Sequence, residues 1–144
     1  MTAEQQEFAN RLDVIINGNG MTTVNFVNND NNTLIGDITT GTVDIGDIMQ
    51  IGEGQYVNQA GAFIHEFHEQ FQVQVNLSPP LKAHTKATNI EGKVTGNVYD
   101  PVRNTSSSPN GTGTITVPVR NPNTGQWHNV IINYQNGNVI NILR

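Results

Sequence analysis

The run Phe63-Ile64-His65-Glu66-Phe67-His68-Glu69-Gln70-Phe71 carries two overlapping patterns. The first is apolar. Ala60, Phe63, Ile64, Phe67 and Phe71 recur at helical spacing, which puts them on one stripe of an α-helix. The spacing predicts a helix that starts near Val57 and ends before Ser78. The second pattern is chemical. His65, Glu66 and Glu69 spell H-E-x-x-E. In the related H-E-x-x-H pattern, two metal ligands stand one helical turn apart with a general base after the first. Here Glu69 takes the place of the second histidine. A carboxylate oxygen also ligates zinc, so His65 and Glu69 are a candidate ligand pair. Glu66 then stands where a general base takes a proton from water.

The sequence downstream supplies a third arm. Ser78-Pro79-Pro80 reads as the start of a second helix. Serine is expected to cap it, and a first-turn proline lacks only an N–H that has no helical partner. Leu81, Ala83, Ala87, Ile90 and Val94 form its expected buried side, and Gly92 or Gly96 ends it. His84 and Glu91 lie about 20° apart around such a helix. Lys82, Lys86 and Lys93 fall on the other side, toward water. The short connection makes the two helices antiparallel neighbours. His65, Glu69 and His84 can then meet around one divalent ion, and nitrogen and oxygen ligands with an open position suit zinc. Glu91 serves either as a fourth ligand or as the carboxylate that holds a ligand histidine from behind. A plainer reading stays open: a polar helix face opposite an apolar one is ordinarily just solvated. His68 is read as a surface or network residue.

The flanking zones read as α+β. From Met1 to about Gly54, Glu4 to Ile16 has helical periodicity and Asn17-Gly18-Asn19-Gly20 stops it. Thr22 to Val27 reads as a strand, Asn28 to Asn32 as a turn, and Leu34 to Thr39 and Gly41 to Ile45 as short extended segments. Ile48 to Ile51 is ambiguous. Residues 55–96 form the helical hairpin. In residues 97–144, Asn104 to Gly113 reads as a loop. Thr114 to Val119, Trp127 to Tyr134 and Val139 to Leu143 read as a three-stranded antiparallel meander. Asn136-Gly137 is its tight turn, since both residues tolerate positive φ. The whole chain, 1–144, is read as a single domain.

Composition narrows the function classes. The 144 residues suit one domain with a core of its own. The absence of cysteine excludes a disulfide framework, thiolate zinc ligation and a cysteine nucleophile. A net charge of -5 weighs against nucleic acid as partner, which needs clustered Lys and Arg. No apolar run is long enough to span a bilayer, and Met1 to Asn10 lacks the apolar segment of a signal peptide. Asparagine makes up roughly one residue in seven, which favours a turn-rich surface. Asp37, Asp44 and Asp47 match no calcium-loop spacing. Tyr99 is a candidate hydrogen-bond donor to an oxyanion. Trp127 and Tyr134 are read as core packing before a sugar-stacking platform, and His128 has no neighbours in sequence that suggest a site.

Motif order adds a resemblance. Val43-Asp44-Ile45-Gly46-Asp47-Ile48, then His65-Glu66-x-x-Glu69-Gln70, then Ala83-His84 and Ile90-Glu91-Gly92-Lys93-Val94-Thr95-Gly96 follow one another. This order resembles a small domain at the C-terminal ends of Rhs-type polymorphic toxins, with the pattern D-[IV]-x-D-[IV], H-E-x-x-E-Q, A-H and A-E-x-x-V-x-G. The likeness runs from Thr2 to the final hairpin. It departs at Asn89-Ile90, where the small residue before Glu91 is missing. The resemblance implies a zincin-like plan, in which a sheet edge lies above a ligand-bearing helix. It also implies a metallopeptidase-like effector of bacterial antagonism, delivered as part of a larger secreted toxin. Such an effector would have a protein or peptide substrate and a cognate immunity protein. The alternative is a non-catalytic binding or structural module of such a toxin. An immunity or adaptor role fits the acidity but leaves H-E-x-x-E and Ala83-His84 unexplained.

Overall fold

Thr2 opens the first helix, α1 (Ala3–Ile16), with a reciprocal cap. Its hydroxyl accepts from the Gln5 amide at 3.1 Å, and the Gln5 side chain accepts from the Thr2 amide at 2.9 Å. The computed structural model describes residues 1–102, the backbone of 104–105, and 110–144. Part of the expected Asn104–Gly113 loop therefore lies outside the described residues. After α1 come three short strands, β1 (Asn25–Val27), β2 (Gly36–Asp37) and β3 (Thr42–Asp44). They form a mixed sheet in the order β1-β3-β2, with β1 parallel and β2 antiparallel to β3. The expected strand from Thr22 is shorter, and its start is held from outside the sheet. The Thr23 amide donates to the Gln74 side chain, which donates back to the Thr23 carbonyl.

The ambiguous Ile48–Ile51 run is helical, within α2 (Ile45–Ile51). Asp44 caps it, accepting from the Asp47 amide at 3.2 Å. The helical hairpin follows as α3 (Gln59–Gln74) and α4 (Pro80–Thr95). Asn58 caps α3 through the Gly61 amide. Gly96, at φ 70°, ends α4 in the left-handed conformation that favours glycine. Ser78 does not cap α4. Pro79 occupies the cap position, and the Ser78 hydroxyl donates instead to the Gln72 side chain at 3.2 Å. Leu81 is not on the buried side: it is 79% exposed, while Ala83, Ala87, Ile90 and Val94 are buried.

The C-terminal sheet is larger than a three-stranded meander. β6 (Thr112–Arg120), β7 (Trp127–Gln135) and β8 (Asn138–Leu143) form that meander. Asn136 at φ 51° and Gly137 at φ 77° make its tight turn. β4 (Val98–Tyr99) and β5 (Asn104–Thr105) add to the free edge of β6, giving five strands. The fold is thus α+β, with four helices and two sheets among the described residues. Two cores form. Val43, Ile48, Ile51 and Leu34 pack against Val117, Val119, Val130, Ile132 and Tyr134 of the large sheet. Ile15, Ile64, Phe71, Ile90 and Val94 knit α1, α3 and α4.

Both faces of α3 are covered. One side carries a row of rings, Phe8–Phe63–Phe67–Phe26, with successive centroids 6.4, 4.4 and 5.7 Å apart. The side read as solvent-facing is buried as well: His65, His68, Glu69 and Gln72 are all buried. The plain solvated-face reading therefore does not hold, and each of these polar groups needs a partner.

Candidate metal centre

His65 and Glu69 stand one turn apart on α3, and His84 faces them from the start of α4. Helical periodicity sets the first pair. The antiparallel packing of α4 brings the third side chain in. His65 Nε2 lies 3.2 Å from Glu69 Oε1 and 3.3 Å from His84 Nδ1. His84 Nδ1 lies 2.6 Å from Glu69 Oε1. Three ligand-type atoms thus converge, and the group is able to hold a metal ion. Tetrahedral zinc ligands at about 2.0–2.1 Å from the ion stand about 3.3 Å from one another. Two edges of the triangle match that spacing. The third has the length of a charge-assisted hydrogen bond from His84 to Glu69.

Glu91 decides what His65 can do. Its Oε2 lies 2.9 Å from His65 Nδ1, and both side chains are almost wholly buried. A carboxylate accepts only, so Nδ1 donates to Glu91. Nε2 is thereby turned toward the Glu69 oxygen at 3.2 Å. Two imidazole nitrogens and a carboxylate oxygen are a donor set that zinc takes, with Glu91 behind the histidine rather than among the ligands.

The two imidazoles set the charge of Glu69. Burial pushes the Glu69 carboxyl up. Hydrogen bonds from His65 and His84, and their charge, outweigh it and hold the group down to about 2. Glu69 is therefore an anion at any ordinary pH. His68, on the same helix, does not join the cluster. Burial, with the charges of Arg11, Lys86 and His65 nearby, pushes it down to about 4, although Glu69 opposes this. Neutral His68 pairs through Nε2 with the Gln72 side chain, which also accepts from Lys86 at 2.6 Å. It is a network residue.

Glu66 opens onto the same space. It is buried, and it lines a cavity of about 460 Å³ together with His65, Glu69 and His84. Gly36 on β2 lies directly over it: a Cβ on Gly36 would overlap the Glu66 carboxylate. The roof is held by residues whose importance was not read from the sequence. Ile35 adopts φ 64°, a conformation rare for a β-branched residue, and the Gly36 amide closes a three-residue turn onto Leu34 O at 2.7 Å. Such a conformation costs about 1–3 kcal/mol and persists only when its surroundings impose it. Asp47 imposes it by accepting from the Ile35 amide at 2.8 Å, while the Ile35 carbonyl accepts from the Asp44 amide at 2.8 Å. Asp47 also accepts from Val139 of β8, which ties the two sheets together. Gln70 donates to the Asp37 carbonyl at 3.1 Å and ties β2 down to α3. An isolated glycine in an extended segment was the available signal, since it marks close backbone approach.

The structure does not bring Tyr99 to this cluster. Its hydroxyl donates to the Tyr56 carbonyl, and its ring lines a separate cavity beside Thr88 and Gly92. The oxyanion-donor expectation is thus corrected: β4 pairs with the far end of β6 and carries Tyr99 into the core. Asp44 and Asp47 are wholly buried staples. His128 stacks on Tyr56 at 4.6 Å. Tyr134 is buried while Trp127 is exposed beneath Arg120, so the two do not form a platform. Among the described residues, no helix is long and apolar enough to cross a membrane. Compared with family models, curated proteins and solved structures, the chain finds no match.

Proposed function

We propose that this chain is a metal-dependent hydrolase that cuts peptide bonds, with zinc held by His65, Glu69 and His84. One observation carries the reading: three ligand atoms converge within hydrogen-bond distance of one another, with Glu91 behind His65 and Glu66 on the wall of the adjoining cavity. Glu66, Glu69 and Glu91 place three buried carboxyl groups beside two imidazoles, a donor-rich setting for a divalent cation. Bound there, zinc would make water more acidic and polarise a carbonyl.

The protein's own part follows from this arrangement. Glu91 keeps the His65 lone pair aimed at the cluster. Gly36 and the β2 roof keep bulk water off Glu66. Glu66 takes a proton from the attacking water, whose oxygen bonds the carbonyl carbon. The C–N bond breaks, and the same proton passes from Glu66 to the leaving amine. The edge of β2 offers backbone groups to an extended substrate segment. Carboxylate ligation makes the ion a weaker Lewis acid than three histidines would, so turnover is expected to be slow. Following the resemblance to Rhs-type toxin domains, we read the chain as an effector of bacterial antagonism. It would be delivered as part of a larger secreted toxin and opposed by a cognate immunity protein.

The test is metal content by mass spectrometry on untagged protein, beside the variants His65→Ala and His84→Ala. About one zinc per chain, lost in both variants, is the expected result. Glu66→Gln should retain the metal and lose both hydrolysis and toxicity on expression. Unchanged toxicity in that variant would leave a binding module as the better reading.

A further inference from the structure

The cluster stands at the waist between two cavities. One, of about 560 Å³, is lined by Asn32, Asp37, Ile38 and Pro80 beyond the waist. The other, of about 460 Å³, is floored by Ile115 and Ile132 and walled by Ile35, Pro101 and Val102. Leu34, Gly36, Glu69, Leu81 and His84 line both. Glu66 and His65 open only onto the second. Two large side chains at its mouth face solvent, Leu81 at 79% and Val102 at 65% exposure. Leu81 is the residue that helical periodicity assigns to the core. It points instead into a hollow that has apolar walls and candidate metal ligands at one side. Ligand sites have this makeup: mostly apolar walls, a few convergent polar groups and a volume of a few hundred Å³. Scattered exposed apolar residues need no explanation, but apolar residues rimming a chemically armed hollow do.

We propose that the Ile115–Ile132 cavity is a specificity pocket that takes one aliphatic or aromatic side chain of the substrate, next to the bond that is cut. The pocket serves the metal reading of the same site and rests on it. Leu81 and Val102 form its lips and lose their exposure when the side chain enters.

Binding of chelating probes to zinc-loaded protein tests this without requiring turnover. Acetohydroxamate reports the metal alone. A hydroxamate that adds an isobutyl or benzyl group reports the metal and the pocket. Calorimetry should show the larger probes binding at least about tenfold more tightly than acetohydroxamate. In Leu81→Asp/Val102→Asp, two rim positions, that gain should fall to near unity while zinc content and acetohydroxamate affinity hold. Equal affinity for small and large probes in the parent protein would overturn the pocket. So would a gain that survives in the double variant, or zinc-loaded protein that binds no hydroxamate. Failure to load zinc at all would overturn the metal reading, and the pocket with it.

Discussion

His65 Nδ1 donates to Glu91 Oε2 across 2.9 Å, from α3 to α4, with both side chains almost wholly buried. That bond turns Nε2 of His65 toward Glu69 and His84, so Glu91 orients a cluster it does not join. Glu91→Gln keeps an acceptor but loses the charge that makes the imidazole a better ligand. Zinc affinity should fall about 10–100-fold. Competition with a chromogenic chelator measures it, and circular dichroism checks that the fold survives.

Gly36 and Glu66 make a second close pair. Gly36→Ala must displace either the carboxylate or β2, because the added Cβ has no room. The ligand atoms lie on other side chains, so zinc content should hold. Hydrolysis should fall on the order of 100-fold, the usual effect of moving a catalytic group by about 1 Å. Equal turnover in parent and variant would mean that the Glu66 position does not matter to the reaction.

Metal binding should stabilise the fold, because the ligands come from two helices and are not assembled in the unfolded chain. Free zinc at about 100 times its dissociation constant contributes about 2.7 kcal/mol. For a chain of this size that raises the melting temperature by about 5–10 °C. Scanning fluorimetry with added zinc, then with excess chelator, should show the rise and its reversal. His65→Ala should show neither.

Asp47 contributes a pH dependence of its own. Burial pushes its carboxyl up from the ordinary 3.8 to about 6, against the opposing pull of the Ile35 and Val139 amides. The folded state therefore binds the proton more tightly than the unfolded chain does. This contribution to stability is fully present below about pH 4 and is lost as pH rises through about 6. Asp47→Asn has one acceptor for two buried amides, so it should destabilise by about 1–3 kcal/mol. Urea unfolding across that window should show the parent protein's falling component, absent in the variant.

Much of this could be read from the chain alone, for a local reason. The Phe63, Phe67, Phe71 repeat, the i, i+4 spacing of His65 and Glu69, the prolines before α4 and Asn136-Gly137 act within a few residues. At that range backbone geometry leaves few choices. His84 and Glu91 were legible at one remove, because a short connection forces antiparallel helices.

What escaped the chain reading depends on contacts between segments far apart in sequence. Leu81 obeys the helical repeat and is still exposed, since among the described residues no element covers that corner of the hairpin. The polar face of α3 looks solvated in isolation and is buried because α4 and the β2 roof close over it. Tyr99 follows α4 closely, yet pairing with β6 draws it into the core. Gly36 reaches Glu66 across thirty positions only because Asp47 and Gln70 hold the roof in place. Periodicity and spacing set which side chains could serve as ligands. Long-range packing, which excludes water and fixes neighbours that no local pattern encodes, brought them to one point and gave Glu91 its role.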